Sequence, residues 1–358
     1  MAFPFRLDRL YDVPAWKRVV ASFAAIVVAL LISAGFIRMA GGSVFQAYGA
    51  LVQGALGSRF AFWETIVRMG PLILTGLAAA VAFKARFWNI GGEGQLYAGA
   101  MAATWVGITF TKAPAFVLLP SGLIAGALAG AAWAVGPAFL KARFRVDDVV
   151  TTLLLNYVII LVVGALLDGP WRNPLSSWPQ SPDLAVGARL PRVIGGTRVH
   201  LGIPIAFGLA FVMYLLMKGT TFGYELRVLG SNPDAAHFGG LPTTSILIRT
   251  AIVSGGLAGL AGVGEVAGLH YSLLTEISPR DAGIGYTGIV IATLGGLHAI
   301  GVLLAAFFFA VVYNGAGTMS RITGVPSYIT QVIQGVTLLC MLGALALTHY
   351  RLRRVERK

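Results

Sequence analysis

Long apolar stretches recur along the whole chain and are separated by short polar segments. An α-helix needs about 20 apolar residues to cross the ~30 Å hydrocarbon core of a membrane. Several stretches approach or exceed this length, and the pattern predicts ten transmembrane helices, of which the eighth and ninth are short and barely separated, at about 19–37, 63–83, 89–110, 114–139, 149–167, 201–218, 243–269, 284–297, 299–315 and 328–348. No stretch is long and polar enough to fold alone. We therefore expect one all-α polytopic membrane domain over residues 1–358.

Charge is sparse and sits beside the apolar stretches. Charged residues are 11% of the chain and hydrophobic residues 57%, with 27 Lys and Arg against 14 Asp and Glu. The basic residues border the predicted helices and do not form one stripe, so they indicate the positive-inside rule and not nucleic-acid binding. The distribution places both termini and the segment 220–242 in the cytoplasm. It places the proline-rich segment 168–200, called the extracytoplasmic loop below, outside, with a hairpin on a primed turn at its Gly-Gly pair.

The stretch FWNIGGEGQLYAGAM, residues 87–101, puts polar side chains and four glycines where a helix should enter lipid. An ionised side chain at the bilayer centre costs about 2.5–3.5 kcal/mol, so Glu93 is not expected to face lipid. A broken helix inside the protein would explain Asn89, Glu93 and Gln95 together. The other interpretation places Glu93 at the cytoplasmic interface, paired with Lys84 or Arg86.

A second stretch, GIGYTGIVIA at 283–292, aligns with NIGGEGQLYA at 89–98. In the predicted topology the two stretches run in opposite directions, which indicates inverted repeats of the kind found in transporters; a chance, glycine-driven match is the alternative. Asn156, Glu265 and Thr287 are further candidates for a translocation path, although each could simply join two helices. Glycines spaced by four, such as Gly126 and Gly130, predict close helix packing.

No motif for covalent chemistry is present. The chain lacks a P-loop, an HExxH or CxxC motif and a nucleophile elbow, and it has a single cysteine, Cys340. We therefore expect no catalytic residue, no metal site and no cofactor bound by this chain. An ion-coupled secondary transporter of a small polar solute remains one interpretation of such a sequence.

The predicted cytoplasmic segment 220–242, called the coupling loop below, contains a short helix. Asn232 suits an N-cap, Pro233 the first helical position and Asp234 the positive end of the helix dipole. Gly239 and the glycine after it should end the helix, which gives a compact element at 233–238. Its small residues are Ala235 and Ala236, and both are expected to face a partner protein.

Three motifs carry a resemblance to a known family. GYELRVLGSNPDAAHFGGL resembles the coupling segment of ABC importer permeases that serve ribose, other simple sugars and branched-chain amino acids. NIGGEGQLYAGA resembles the N-I-G-x-E-G-Q stretch of the nucleoside and simple-sugar subgroup, whose permeases are associated with basic membrane lipoproteins. VDDVVTTLLLNYV, residues 146–158, resembles a further segment of that subgroup. Asp147-Asp148 replaces the usual Asn-Glu there, which leaves the role of Asp147 open.

The resemblance implies a ten-helix permease with inverted repeats, of the fold shared with the cobalamin importer, in a bacterial inner membrane. It implies two permeases, identical or homologous, that dock on ATPase subunits holding ATP and Mg²⁺, and a periplasmic or lipid-anchored protein that delivers a nucleoside or simple sugar. The ATPase-coupling residues it implies are Gly230, Asn232, Pro233, Asp234, Ala235, Ala236, Gly239 and Gly240. The chain itself would then be a translocation subunit surrounded by membrane lipid, without an ATPase site.

Overall fold

The computed structural model describes residues 5–9, 14–277 and 283–354. Its helices are α1 (Ala15–Met39), α2 (Val44–Leu56), α3 (Arg59–Lys84), α4 (Gly92–Thr109), α5 (Ala115–Phe144), α6 (Asp148–Asp168), α7 (Gly202–Gly219), α8 (Thr221–Ser231), α9 (Pro233–Phe238), α10 (Thr243–Val263), α11 (Ile284–Leu294), α12 (Ala299–Thr323) and α13 (Ile329–His349). A π-helical segment, Gly264–His270, extends α10, and two strands are β1 (Phe5–Arg9) and β2 (Tyr350–Arg354). The helical membrane fold is as predicted.

The chain divides into two compact units, Met1–Leu51 with Ala316–Lys358, and Val52–Gly315. In the first unit α1 packs along α13. The strands β1 and β2 pair antiparallel and bring the two ends of the chain together. An even number of crossings fits this pairing, because both termini then lie on one side.

Eight helices in the described part of the chain are long and apolar enough to span a membrane. They are α1, α3, α5, α6, α7, α10 with its π-helical extension, α12 and α13. The ten predicted crossings also included α4 and α11, and α11 has only 11 residues. Both are helices at the predicted places, but the number of full crossings is not confirmed.

Small residues form the centre of the larger unit, where α5 crosses α10. A Cβ atom added to Gly130 would lie 2.2 Å from the carbonyl oxygen of Gly255, and one added to Gly259 would lie 2.3 Å from that of Gly126. Backbones this close are typical of small-residue packing in lipid. The prediction from the four-residue spacing holds at these positions but not at Gly122, which has nothing within 4 Å of its Cβ position.

Loops of the larger unit meet in the two groups that the charge pattern predicted. At the end predicted to be cytoplasmic, Arg86 Nη2 donates to the carbonyl oxygen of Ser231, at 2.9 Å. At the other end, the extracytoplasmic loop reaches the end of α4, where Ala185 N donates to the carbonyl oxygen of Gly107 at 3.1 Å. The relative sides of these loops therefore agree with the predicted topology.

The extracytoplasmic loop contains the predicted hairpin, on a different turn. Val193 N donates to the carbonyl oxygen of Val199, and Thr197 N donates to that of Ile194. Of the two central glycines only Gly196 has a positive φ, of 72°. A positive φ at the second central position alone is typical of a type II turn. The expectation of a primed turn was therefore wrong.

His200, at the end of the extracytoplasmic loop, packs against the start of α7 and the π-helical segment. Its ring lies on Gly202 and Gly268, where added Cβ atoms would come within 2.9 Å and 2.5 Å of ring atoms. Gly202 N donates to His200 Nδ1 at 3.2 Å, which requires that nitrogen to be unprotonated. Burial lowers the pKa of His200 to about 4.

We expect acid to loosen the attachment of the loop at His200. The folded-state pKa lies below the ordinary value of 6.5, so the stabilisation is present above about pH 6.5 and is lost as the pH falls towards 4. Amide hydrogen exchange of residues 190–203, corrected for intrinsic rates, should accelerate between about pH 7 and about pH 5. His200→Gln should flatten this pH response, whereas the exposed His237→Gln should not. An unchanged response in His200→Gln would contradict the assignment.

Candidate functional site

The segment 85–91, called the connecting segment below, is non-helical and joins α3 to α4. Within this segment, Asn89 exchanges two hydrogen bonds with Gln95 of α4. Asn89 Nδ2 donates to Gln95 Oε1 at 3.0 Å, and Gln95 Nε2 donates to Asn89 Oδ1 at 2.8 Å. Asn89 also donates to Ser254 Oγ on α10 and accepts from Gly91 N. Two donors and two acceptors are the full capacity of an amide side chain. In this conformation Asn89 therefore organises the backbone and has no bond left for a solute.

One face of α6 satisfies the backbone of the connecting segment and of the start of α4. Residues spaced by four on a helix lie on the same face. Three such side chains accept backbone N–H groups, and the pairs are Asp148 Oδ2 with Trp88 N at 2.6 Å, Thr152 Oγ1 with Ile90 N at 3.2 Å, and Asn156 Oδ1 with Gly94 N at 2.8 Å. The motif at 146–158 therefore supports the motif at 87–101.

The three α6 side chains at 148, 152 and 156, called the α6 ladder below, show how far into the membrane the connecting segment reaches. Eight residues separate Asp148 from Asn156, and at 1.5 Å per residue they rise about 12 Å along α6. The 11 residues of α11, from the contact with α4 to the end predicted to be cytoplasmic, span about 16 Å. Both lengths place the start of α4 near the middle of a ~30 Å hydrocarbon core.

Glu93 joins the starts of α4 and α11. It is 6% exposed, and Gly285 N donates to Glu93 Oε2 at 2.6 Å. A Cβ atom on Gly285 would lie 2.1 Å from Glu93 N, so only glycine allows this approach. A carboxylate at a helix N-terminus interacts favourably with the helix dipole. The prediction that Glu93 faces the protein interior is confirmed, and the meeting of the two aligned stretches is consistent with inverted repeats.

Asn156 and Thr287 extend this cluster, while Glu265 lies apart from it. Asn156 Nδ2 donates to the carbonyl oxygen of Ile90 and to the hydroxyl of Tyr286, both at 3.0 Å. Thr287 Oγ1 lies 2.9 Å from the Tyr313 hydroxyl on α12. Glu265, in contrast, lies 3.5 Å from His270 Nε2 within the π-helical segment. The structure therefore brings together five of the six predicted path residues.

Two acidic neighbours in the α6 motif have different roles. Asp147 is the N-cap of α6, because its Oδ1 accepts from Val150 N at 2.9 Å. Asp148 is buried and pairs with Lys141 Nζ at 2.6 Å, and Lys141 also donates to the carbonyl oxygen of Arg86. The role that the sequence left open for Asp147 is thus helix capping.

Sequence reasoning missed two features of the larger unit. Trp133 on α5 lies beside Gly94, and its buried indole N–H has no hydrogen-bond acceptor within the part of the chain that the structure describes. Glu64 on α3 is 4% exposed and accepts from Arg198 of the extracytoplasmic loop through both oxygens, which raises the pKa of Arg198. A local sequence pattern could not have predicted the position of Trp133 or the pairing of Glu64, because each depends on a residue that is distant in the chain.

The coupling loop forms the short helix that its sequence predicts. Asn232 Oδ1 accepts from Asp234 N and Ala235 N, both at 3.1 Å, and Pro233 occupies the first turn. Gly239 caps the C-terminus, and Gly240 follows with a φ of 80°. The result is a capped projection at the end predicted to be cytoplasmic.

The two alanines of α9 differ in exposure. Ala235 is exposed, but Ala236 is 2% exposed and packs into the chain itself. The expectation that Ala236 meets a partner protein was therefore wrong, because this side of the helix is covered by its own chain. Phe238, at 96% exposure, is the large apolar side chain that α9 presents outward.

The helix that carries this projection, α8, is fastened to several others. A Cβ atom on Gly230 would lie 1.9 Å from the carbonyl oxygen of Lys84, so α8 runs directly against the end of α3. Glu225 lies 3.6 Å from Arg249 on α10. Arg249 thus anchors α8 to α10.

Comparison with known proteins agrees with this architecture. Residues 61–342 match the family described as "Branched-chain amino acid transport system / permease component". The chain belongs to this permease family. As a permease subunit of an ABC transporter it is not the ATPase, which is a separate subunit, and the alternative of an ion-coupled secondary transporter is set aside.

Three curated relatives match most of the chain. The glucose ABC transporter permease protein TsgB13 of Haloferax volcanii is 33% identical over 98% of this chain and 94% of its own length. The guanosine ABC transporter permease protein NupP of Bacillus subtilis is 34% identical over 90% and 92%. The nucleoside ABC transporter permease protein NupB of Lactococcus lactis is 31% identical over 88% of each chain.

The contact between α4 and α11 gives a testable prediction. Gly285→Ala forces a Cβ atom into the backbone at Glu93 and should lower the free energy of unfolding by about 1–3 kcal/mol. Gly256→Ala is the matched control, because its Cβ would make an ordinary contact at 3.6 Å with the Ala127 carbonyl oxygen. Thermal unfolding of the purified permease measures both. Equal midpoints for the two variants would contradict the close approach.

Proposed function

We propose that this chain is the permease of an ATP-driven importer that moves a nucleoside or a simple sugar into the cytoplasm. The observation that carries the proposal is the family match over residues 61–342, combined with relatives named for glucose, guanosine and nucleosides. These solutes share uncharged, hydroxyl-rich surfaces. Because the glucose and guanosine permeases are almost equally similar, a nucleoside and a sugar are both retained as candidates.

The assembly that we propose follows from the family. A second permease, identical or homologous, pairs with this chain, and ATPase subunits bind ATP and Mg²⁺ beneath the pair. A periplasmic or lipid-anchored binding protein delivers the solute from outside. The chain lies in the inner membrane of a bacterium with both termini in the cytoplasm, in keeping with the pairing of β1 with β2.

We place the translocation path beside the meeting point of α4 and α11. Glu93 and Asn156 supply polar groups there, and Tyr286 and Trp133 supply aromatic rings that are only partly buried. Amide, carboxylate and aromatic groups together suit the hydroxyls and ring faces of a sugar or nucleoside. Both helices must separate before a solute can pass, since the polar side chains now bond to protein.

We assign the contact with the ATPase to the outward face of α9. The Asn232 cap and the glycine end make α9 compact, and Phe238 and Ala235 are the groups it exposes. Large aromatic side chains that insert into a pocket carry much of the binding energy in protein interfaces. Movement of α9 would reach the connecting segment through α8, because Arg86 bonds to Ser231.

Phe238→Ala should uncouple the permease from its ATPase. Loss of an interface anchor costs about 2 kcal/mol or more, a roughly 30-fold weaker association, while the exposed position leaves the fold intact. Leu175→Ala is a matched control: its side chain is also 96% exposed but lies in the extracytoplasmic loop. Co-purification of the ATPase and solute-stimulated ATP hydrolysis provide the measurements. Normal retention of the ATPase by Phe238→Ala would refute the assignment.

Trp133→Phe tests the translocation path and the solute class together. It removes the indole N–H and replaces the fused ring system by a smaller phenyl ring; loss of the hydrogen bond alone, about 0.5–1.5 kcal/mol, should raise the KM for uptake about 2- to 10-fold. Trp105→Phe, at an exposed position on α4, is the control. Uptake of radiolabelled guanosine and glucose into cells identifies the solute. If neither compound is imported the solute class is wrong, and if uptake is normal in Trp133→Phe the path is misplaced.

A further inference from the structure

A second non-helical segment lies on the opposite side of the junction from the connecting segment. Residues 271–277, called the outer segment below, follow the π-helical segment and pair with the extracytoplasmic loop. Ser181 N donates to the carbonyl oxygen of Leu273 at 3.0 Å, and Leu273 N donates to Ser181 Oγ at 2.9 Å. Leu184 N donates to the carbonyl oxygen of Tyr271 at 2.8 Å. The outer segment therefore begins at the end predicted to be extracytoplasmic.

Tyr97 of α4 holds the other end of the outer segment. Its hydroxyl donates to the carbonyl oxygen of Thr275 at 3.2 Å and accepts from Ile277 N at 3.1 Å. Tyr97 is 5% exposed and Ile277 is 2% exposed, so the contact lies inside the protein. Backbone groups that lose their partners inside a protein are costly, and these two bonds therefore favour one position of the outer segment.

The contact with Tyr97 lies on the extracytoplasmic side of Glu93. Residues four apart share a face of a helix, and Tyr97 is about 6 Å further along α4 than Glu93. From there α4 continues to Gly107, whose carbonyl oxygen bonds to the extracytoplasmic loop. Thr275 and Ile277 are thus on the side of the junction from which an imported solute would arrive.

The two non-helical segments are held in different ways. The connecting segment and the start of α4 bond to three side chains of the α6 ladder, and these side chains span about 12 Å of one helix. The two bonds that Tyr97 makes to the outer segment share one hydroxyl. Movement away from a single hydroxyl breaks both bonds at once, whereas the connecting segment is released only when the whole ladder is broken. The outer segment is therefore the easier of the two to displace.

We propose that Tyr97 is a positioning residue that keeps the solute path closed on its extracytoplasmic side. The proposal rests on the translocation path that we place at the junction of α4 and α11. In the closed state the Tyr97 hydroxyl holds residues 275–277 beside the junction. A solute enters when the outer segment leaves this hydroxyl and water takes over the two broken bonds.

Tyr97→Phe tests the role of the hydroxyl, because it keeps the ring and removes both bonds. Tyr48→Phe is the matched control, since the Tyr48 hydroxyl also bonds to a backbone carbonyl, that of Leu30 at 2.5 Å, but in the smaller unit. Each variant is combined with Ile277→Cys and Cys340→Ser, and an impermeant thiol reagent is applied to the extracytoplasmic side of membrane vesicles that contain the whole transporter. Position 277 should react about tenfold faster in Tyr97→Phe and at an unchanged rate in Tyr48→Phe.

A second buried position separates local opening from general loosening. Leu190, in the extracytoplasmic loop, is also 2% exposed, and Leu190→Cys replaces Ile277→Cys in a parallel experiment. Position 190 should stay protected in Tyr97→Phe. Equal acceleration at positions 190 and 277 would show that the variant loosens the whole fold, and an unchanged rate at 277 would show that the hydroxyl does not hold the outer segment. Either result overturns the proposal.

Uptake kinetics supply a readout that a loss of stability alone would not move. If Tyr97→Phe opens the extracytoplasmic side more often, a larger fraction of the permease can accept solute, and the KM for uptake should fall about 2- to 10-fold without a rise in kcat. An unchanged or raised KM contradicts the proposal. The labelling experiment uses no solute, so it decides the role of Tyr97 even where neither guanosine nor glucose is imported and the proposed function fails.

Discussion

A non-helical backbone inside a membrane must find all its hydrogen bonds within the protein. The connecting segment meets this demand through α6, whose side chains at 148, 152 and 156 accept the N–H groups of Trp88, Ile90 and Gly94. This support allows α4 to begin near mid-membrane and not at the interface. The position of Glu93, and hence the junction with α11, depends on that starting point.

The junction of α4 with α11 combines polar groups with very close backbones. Gly285 lets the two helix starts touch, and the Glu93 carboxylate bonds across them. A lipid-filled gap would leave the Gly285 N–H without an acceptor, at a cost of several kcal/mol. In the translocation path that we propose, a hydroxyl-rich solute would replace the same bonds, so the helices would separate only when such a solute or water is present. Selectivity for polar solutes would then follow from the same hydrogen bonds that close the junction.

The parts of the structure that sequence could predict rest on local physics. The penalty for an ion in lipid is enough to put Glu93 inside, and cap and stop residues define α9. The direction that Ala236 faces could not be predicted, because a helix of six residues has too short an apolar pattern to reveal its buried side. The saturation of Asn89 was also hidden, since Ser254 lies 165 residues away. Contacts of that kind arise only when distant helices pack.

The anchoring of α8 affects the coupling to the ATPase that we propose. From the sequence, α8 lies between α7 and α10, so a force on it would be expected to act on the second half of the chain alone. In the structure, however, Gly230 of α8 lies directly against Lys84 and Arg86 bonds to Ser231, so the coupling loop also contacts the end of α3 in the first half. Lys141 then holds both Arg86 and Asp148, the lowest member of the α6 ladder. A displacement of α8 would therefore be transmitted to the connecting segment through direct contacts. The starts of α4 and α11, which meet at the junction, would then move in response to the same displacement.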